Sequence, residues 1–406
     1  MNSIRQTIRT IDDYWFRSGS PTSLGFLRIA IGILTLIDLL VLGLHWEDWF
    51  SERGYVPRSL TQMWFAGDPY LWYHGKEAVF WEGGRILPKV NLLSGIENPL
   101  WAQLFFWGVA VFCVLTTFGL WTRFSSFMLA IGIVSIHHRN PMILMGGDSV
   151  LRIACLYLAL SPCGTVCSVD RLIALWKGRV QPGPVTVSLW SQKLISYNVA
   201  LIYITTVWIK WYGAHWKAGD AAYYPAQLPE FFRFPYPHFL FEMPVVRFFT
   251  WGTLVVEFLM GTLVFYRPMR KYILLGGILL HGGIEYTMNV PLFGYLIVSC
   301  YITFFDGEEV SAWFARIGQR FQGYHVTVHL PVGHTLKPNA QAVLSAIDPL
   351  SLVSYTTGEE DGVYVTKADG TRAKGLWAIV THSMGAWPVV AMPWIWKPLI
   401  TRALEA

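Results

Sequence analysis

Long apolar runs alternate with shorter polar and aromatic segments along most of the chain, up to residue 305. About 20 helical residues, at 1.5 Å each, cross the ~30 Å hydrocarbon core of a bilayer. The predicted spans are 24–44, 100–120, 124–137, 149–160, 194–210, 248–266, 272–288 and 291–305. The pattern therefore predicts a polytopic α-helical membrane protein with about eight transmembrane helices. Because 124–137 and 149–160 are short, the count ranges from seven to nine.

Basic residues mark one side of this predicted bundle. They precede the first span or follow the second, fourth and sixth: Arg5, Arg9, Arg17, Arg123, Arg171, Lys177, Arg179, Arg267, Arg270 and Lys271. Lysine and arginine collect in cytoplasmic loops, which makes this the inner side. We predict a multi-pass protein of the cell membrane, a bacterial inner membrane, with both termini in the cytoplasm. Residues 1–20 form the N-terminal cytoplasmic segment, and the aromatic loops 46–99, 140–148 and 212–245 lie outside.

The chain after residue 306 has a different pattern. A linker over 307–322 precedes a predicted domain over 323–406. Its alternating and apolar segments predict strands at 324–330 and 352–355 around a helix at 337–347. A hairpin of 363–367 with 371–374, turning at Asp369-Gly370, and helices at 376–383 and 396–404 follow. The expected unit is a small cytoplasmic α/β domain.

Composition agrees with a chain solvated largely by lipid. Charged residues make up 14% of the sequence, against about 25% in soluble domains. The net charge of +5 is not gathered in a basic stripe, so no nucleic-acid partner is predicted. Five cysteines lie mostly in apolar runs without the spacing of metal ligands, and we predict no metal site.

Several ionisable residues fall inside predicted spans, where each costs at least ~2.5 kcal/mol. Asp148 and Arg152 are four residues apart on one helical face and could neutralise each other. His281 and Glu285 have the same spacing. Glu257 lies near the middle of the sixth span. A functional role and a structural one both remain open for Glu257 and His281.

Other polar residues lie closer to the ends of spans. For Arg28 and Asp38 we predict structural roles, because long side chains near helix ends snorkel and short ones meet water. The neighbouring His137 and His138 point to different helix faces, which makes them a poor metal pair. We expect them to hydrogen-bond the turn at Asn140-Pro141.

Lys210 is the strongest candidate for chemistry. It ends an apolar helix and is followed by the aromatic residues Trp211, Tyr212, His215 and Trp216. A lysine held against aromatic rings away from water loses stabilisation of its charge, so that its neutral amine becomes a usable base. The alternative is an ammonium that snorkels to the outer interface among belt aromatics.

Several segments together resemble the horizontally transferred transmembrane domain, the bacterial relatives of the vitamin K-dependent gamma-carboxylase. The resemblance covers roughly 20–306 and gives a transmembrane domain over 21–306. It rests on LRIAIG at 27–32, RNP at 139–141, GGD at 146–148, SVDR at 168–171, YITTVWIKWYGAHW at 203–216, LH at 280–281 and FF at 304–305.

The resemblance implies that Lys210 deprotonates a reduced quinone, with His281 and Glu257 as further catalytic residues. It implies substrate contacts from Trp211, His215, Trp216, Asn140, Asp148 and Arg152. The expected cofactor is a vitamin K-like quinol, and no other is indicated. In the carboxylases a tryptophan follows the lysine by five residues and a histidine follows the asparagine. Here Trp216 follows Lys210 by six, which makes the match approximate. Pro141 stands after Asn140, and the large C-terminal domain that holds protein substrate in the carboxylases has no counterpart; both count against glutamate carboxylation and leave quinol chemistry open.

The tail resembles the DCC-type thiol-disulfide oxidoreductase-like domain, which is thioredoxin-like. The similarity lies in 324–330 and 363–406. Members carry Cys-x-x-Cys after the first strand, whereas the stretch 331–336 (PVGHTL) contains no cysteine. Without a thiolate there is no disulfide exchange, so the resemblance implies a domain that docks or stabilises, and that could bind a protein partner.

Two functions follow from these observations. The first is an enzyme of carboxylase-like descent that binds or oxidises a quinol, or another lipid-soluble small molecule, at the outer face. The second is a non-enzymatic membrane binding or maturation partner that uses its tail for docking. A transporter is less favoured, since no inverted repeat or matched pair of broken helices is visible. The enzymatic reading predicts that Lys210, Glu257 and His281 converge, and the other predicts paired polar groups.

Overall fold

The structure is a computed structural model, and most of it is helical. It describes residues 2–64, 91–231, 233–235, 237–330, 333, 337–358, 364–368 and 370–374. The described helices are α1 Asn2–Phe16, α2 Thr22–Leu44, α3 Trp46–Phe50, α4 Arg58–Trp64, α5 Pro99–Phe118, α6 Thr122–Arg139, α7 Gly146–Leu160, α8 Val169–Trp176, α9 Trp190–Tyr212, α10 Ala214–Ala218, α11 Met243–Thr262, α12 Arg267–Thr287, α13 Phe293–Cys300, α14 Gly307–Arg320 and α15 Pro338–Ile347. The strands are β1 Ser18–Gly19, β2 Val187–Ser188, β3 Val326–Leu330, β4 Val353–Thr357, β5 Tyr364–Lys367 and β6 Arg372–Lys374.

Each of the eight predicted spans contains a helix, and these are α2, α5, α6, α7, α9, α11, α12 and α13. Four stretches of the described chain are long and apolar enough to cross a membrane: Thr22–Leu44, Pro99–Phe118, Trp190–Tyr212 and Met243–Phe265. The helix of 293–304 is apolar but shorter. By length and composition, the described part of the chain therefore has four candidate membrane-spanning helices.

The chain divides into two compact units, 1–168 with 186–305 and 169–185 with 306–406. The first unit holds the apolar helices around one core of buried aliphatic and aromatic side chains. Its outward faces are also apolar, as at Leu44, Ile209 and Phe248, which are 81%, 70% and 72% exposed. Large apolar side chains exposed to this extent along several helices are typical of surfaces that meet lipid or another protein.

Glycines allow the helices of the first unit to approach closely. A Cβ at Gly32 of α2 would lie 2.2 Å from Thr117 Oγ1 on α5, and one at Gly261 of α11 would lie 2.9 Å from the Ile204 side chain on α9. Small residues at helix contacts let backbones pack where the hydrophobic effect contributes little between helices.

The side chain of Arg28 on α2 lies inside the helix bundle, whereas the sequence predicts that it reaches toward water. Its side chain is fully buried and donates to the carbonyls of Thr116, Thr117, Cys163 and Cys167 at 2.5–3.2 Å. The prediction of snorkelling was wrong, because the last carbonyls of α5 attract the guanidinium. The role is structural, as expected.

The second unit contains a four-stranded sheet in the order β4-β3-β5-β6. β3 and β4 are parallel and joined through α15, whereas β5 pairs antiparallel with both β3 and β6. The predicted strands, helix and hairpin are confirmed, and Gly370 takes φ +82° in the hairpin turn. The predicted helices 376–383 and 396–404, and most of the 331–336 stretch, lie outside the described residues.

Candidate functional site

Lys210 points into the bundle and pairs with a carboxylate. Its Nζ contacts Glu257 Oε1 of α11, and the Thr206 hydroxyl donates to Glu257 Oε2 at 3.3 Å. The Glu257 side chain is 8% exposed and that of Lys210 is 24% exposed. Lysine and glutamate therefore form a largely buried ion pair between α9 and α11, instead of an ammonium that snorkels away from the bundle.

The ring of Trp216 covers the other side of the amine, with Nζ 5.0 Å from its centroid. This contact agrees with the predicted aromatic surroundings of Lys210. The sequence analysis named no counter-ion for Lys210, and the structure places the Glu257 carboxylate in that position. For Lys210 to become a neutral amine within this pair, its proton has to move to the Glu257 carboxylate.

His281 belongs to a second group of polar side chains in the same unit. Its Nε2 lies 2.6 Å from the Tyr203 hydroxyl, which also contacts the Tyr301 hydroxyl. His281 is 4% exposed, and its ring packs edge-on against Phe293 at 5.3 Å between centroids. Glu285, four residues after His281, binds Arg233 at 2.5 Å and accepts from the Gly294 N–H at 2.9 Å.

Tyr203 connects the two groups along α9. Tyr203, Thr206 and Lys210 follow one another at the i, i+3, i+7 spacing of one helical face. The sequence analysis missed the two tyrosines and the threonine. The helical spacing could have identified Tyr203 and Thr206, whereas no local signal marks Tyr301, which reaches the group through tertiary packing.

The other predicted substrate residues have different surroundings. Trp211 is 57% exposed, and His215 contacts Asp220 Oδ1 at 3.1 Å. Asn140 is fully buried, where its amide donates to the Trp49 carbonyl at 2.8 Å and its Oδ1 accepts from the Met142 N–H at 3.0 Å. Asn140 thus holds a turn, and its contacts are all within the protein.

Asp148 and Arg152 do not form the predicted carboxylate–guanidinium contact in the described part of the chain. Arg152 donates to the backbone carbonyl of Asp148 at 3.3 Å, to Ser149 Oγ at 3.2 Å, and contacts His138 Nε2 at 3.0 Å. Asp148 instead accepts from the Met145 N–H at 2.6 Å, and its other oxygen faces His137. The i, i+4 spacing correctly places Arg152 near Asp148. One carboxylate oxygen of Asp148, however, caps the start of α7 by accepting the Met145 N–H.

Comparison with protein-family models, with curated proteins and with solved structures found no match. The function has to be argued from the arrangement of these side chains.

Proposed function

We propose that this protein is an integral membrane protein that binds a quinol, or a similar lipid-soluble reductant, beside Lys210, and removes a proton from it. The observation that carries the proposal is the buried contact of Lys210 with Glu257, covered by the Trp216 ring. An ionisable pair between apolar helices is costly to maintain and most often marks a functional site.

The pair can supply a base without creating a net charge. When the proton of the Lys210 ammonium moves to Glu257, an ion pair becomes an amine and a carboxylic acid in contact. Because the proton moves only between two atoms in contact, no charges are separated in a medium of low dielectric constant, where separating them costs most. The neutral amine then accepts the proton of a quinol hydroxyl, and the quinol anion is the species that dioxygen oxidises. This is the role that the carboxylase resemblance implies for Lys210.

The position of the pair suits a substrate that comes from the lipid. Glu257 lies about 21 Å along α11 from Met243, at 1.5 Å per residue, and therefore well inside an apolar stretch. Trp208 and Ile209, next to Lys210, are 65% and 70% exposed. An apolar ring system could approach Lys210 along this surface without entering water.

The proposed topology has eight spans, built on the eight helices of the first unit, in the cell membrane with both termini in the cytoplasm. It is supported by Arg123 at the start of α6 and by Arg267, Arg270 and Lys271 at the start of α12. This arrangement places Lys210 toward the opposite, outer end of α9. Four of the eight helices are long and apolar enough to cross a membrane on their own. The other four would cross it by packing their less apolar faces against these four.

For the tail we propose a docking domain of thioredoxin-like fold without redox activity. The parallel β3–α15–β4 unit, extended by the antiparallel strands β5 and β6, supports this fold. Cysteines are absent from residues 306–406 of the sequence, so the tail has no thiol for exchange.

One observation favours the second function, a non-enzymatic membrane binding or maturation partner. The ionisable side chains of the site already contact partners, Lys210 with Glu257 and His281 with Tyr203. Paired polar groups are what a purely structural or binding role requires.

The test uses full-length protein in detergent micelles with a reduced naphthoquinone, and follows oxygen uptake and quinone absorbance together. We expect wild type to oxidise the quinol faster than empty micelles, K210A to lose at least about 100-fold in rate, and K217A, a lysine on the neighbouring α10, to match wild type. Tryptophan quenching by the oxidised naphthoquinone measures binding separately. Binding without turnover supports the second function, and a rate unchanged by K210A contradicts the first.

A further inference from the structure

A second buried cluster lies at the junction of α2, α6 and α7. Asp38 Oδ2 is 3.6 Å from His137 Nε2, and Asp148 Oδ1 is 3.8 Å from the same nitrogen. These three atoms lie within 4.8 Å of one another. The cluster corrects the expectation that Asp38 meets water and that His137 bonds the following turn.

His137 lacks the hydrogen bonds that a buried imidazole normally makes. Its side chain is 1% exposed, and within the described residues neither ring nitrogen has a hydrogen-bond partner. Asp38 Oδ2 is likewise buried without a hydrogen bond among these residues. Buried polar atoms are almost always satisfied, so three unsatisfied atoms, two of them facing each other, indicate a missing partner.

The distances suit a shared cation better than direct hydrogen bonds. Separations of 3.6 and 3.8 Å exceed the 2.7–3.2 Å of a hydrogen bond. Two ligands bound tetrahedrally at about 2.1 Å from one metal ion are roughly 3.4 Å apart. A contraction of a few tenths of an ångström at each side chain would close the cluster around an ion.

The charges of the cluster also call for a cation. With a neutral imidazole, Asp38 and Asp148 carry two negative charges that a divalent ion neutralises. Arg152 lies near Asp148, but its guanidinium is directed to the Asp148 carbonyl, Ser149 and His138. Asp148 Oδ2 accepts a hydrogen bond from the Met145 N–H, and this bond orients Oδ1 toward His137. The side chains of Asp38 and Asp148 are 19% and 17% exposed.

The geometry points to a divalent metal site formed by Asp38, His137 and Asp148. One imidazole nitrogen with two carboxylates is a donor set for borderline first-row ions such as Zn²⁺, Co²⁺ or Mn²⁺. The site joins three helices, so a bound ion ties α2 to the α6–α7 turn. It does not involve Lys210, Glu257 or Trp216, on which the proposed deprotonation of a quinol depends, so the two proposals can be tested separately.

The test is titration of Co²⁺ into chelator-treated, full-length protein in detergent, followed by visible absorption and calorimetry. We expect one equivalent to bind to wild type and to be displaced by Zn²⁺. D38N, H137Q and D148N should each weaken binding at least tenfold. D220N, which removes the carboxylate of the exposed His215–Asp220 pair, is the matched control and should bind like wild type.

Thermal unfolding gives a second readout of metal binding. Zn²⁺ should raise the thermal unfolding midpoint of wild type and D220N, but not that of D38N, since only a folded site holds the ion. If a variant fails to fold, wild type and D220N still decide the matter. Failure of wild type to bind Co²⁺, loss of binding in D220N, or a thiolate-type near-ultraviolet band would overturn the proposal. In each of these cases the cluster is a proton-sharing triad or the ion lies elsewhere.

Discussion

The Lys210 ammonium on α9 contacts the Glu257 carboxylate on α11, in a place where the sequence predicts two separate apolar helices. The two residues are 47 positions apart in the sequence. Because the pair is largely buried, each partner stabilises a charge that the apolar surroundings would otherwise destabilise.

Removing one partner of this pair should destabilise the protein more than removing both. E257A leaves an ammonium without its counter-ion, a change that costs about 3–5 kcal/mol for a fully buried pair. We expect about 2–3 kcal/mol here, because Lys210 retains some exposure and solvent screens it. Thermal unfolding in detergent should show a lower midpoint for E257A and K210A, and recovery in the double variant K210L/E257L. A double variant as unstable as the sum of the single variants would show that the two side chains act independently.

Arg28 should be essential to the packing of α2. R28A removes four hydrogen bonds to backbone carbonyls, two of them at the end of α5, which we expect to cost at least about 3 kcal/mol. R28K should recover little of the lost stability, because the compact lysine ammonium cannot donate to several separate carbonyls as the planar guanidinium of arginine does. R123A, at an exposed arginine at the start of α6, is the control and should leave the unfolding midpoint unchanged. An R28A midpoint equal to that of R123A would contradict the observed burial.

Gly32 should tolerate no side chain. G32A places a methyl group 2.2 Å from Thr117 Oγ1, so α2 and α5 must separate, at a cost of about 1–3 kcal/mol. Gly108 on α5 is the matched control, because a Cβ there meets nothing within 4 Å. G108A should be neutral or stabilising by up to about 1 kcal/mol, the difference in helix propensity. Comparison of the two unfolding midpoints tests the close helix contact directly.

The sequence predicts the helices well and the partners of their polar residues poorly. All eight apolar runs are helical, because apolar length and period are local properties. The i, i+4 spacing of Asp148 with Arg152 and of His281 with Glu285 did not predict the hydrogen-bond partners of the two carboxylates. Helix caps and loops compete for such side chains, as Met145 does for Asp148 and Arg233 for Glu285. Contacts such as Asp38 with His137 join different helices, and no spacing in the sequence encodes them.

In the candidate site, the sequence identified Lys210, Glu257 and His281 but not how they are connected. Each was singled out by the cost of placing a charge among apolar residues, which is a property of one position. The hydroxyls of Tyr203 and Tyr301 were missed, because tyrosine is common in membrane helices and its bonding depends on packing. The contacts among Asp38, His137 and Asp148 were not predicted either, since these residues come from three helices.

The central claim is that 24–305 lies in a bilayer with Lys210 toward the outer face. It is tested most directly by measuring which side of the membrane each end of the helices faces. Single cysteines replace Lys217 beside the site and Lys271 at the start of α12, in a chain whose own five cysteines are changed to alanine or serine. Intact cells are then treated with a membrane-impermeant thiol reagent. We predict labelling of K217C in intact cells and of K271C only after permeabilisation. Labelling of both positions from the same side would contradict the proposed topology and remove the location of the chemistry.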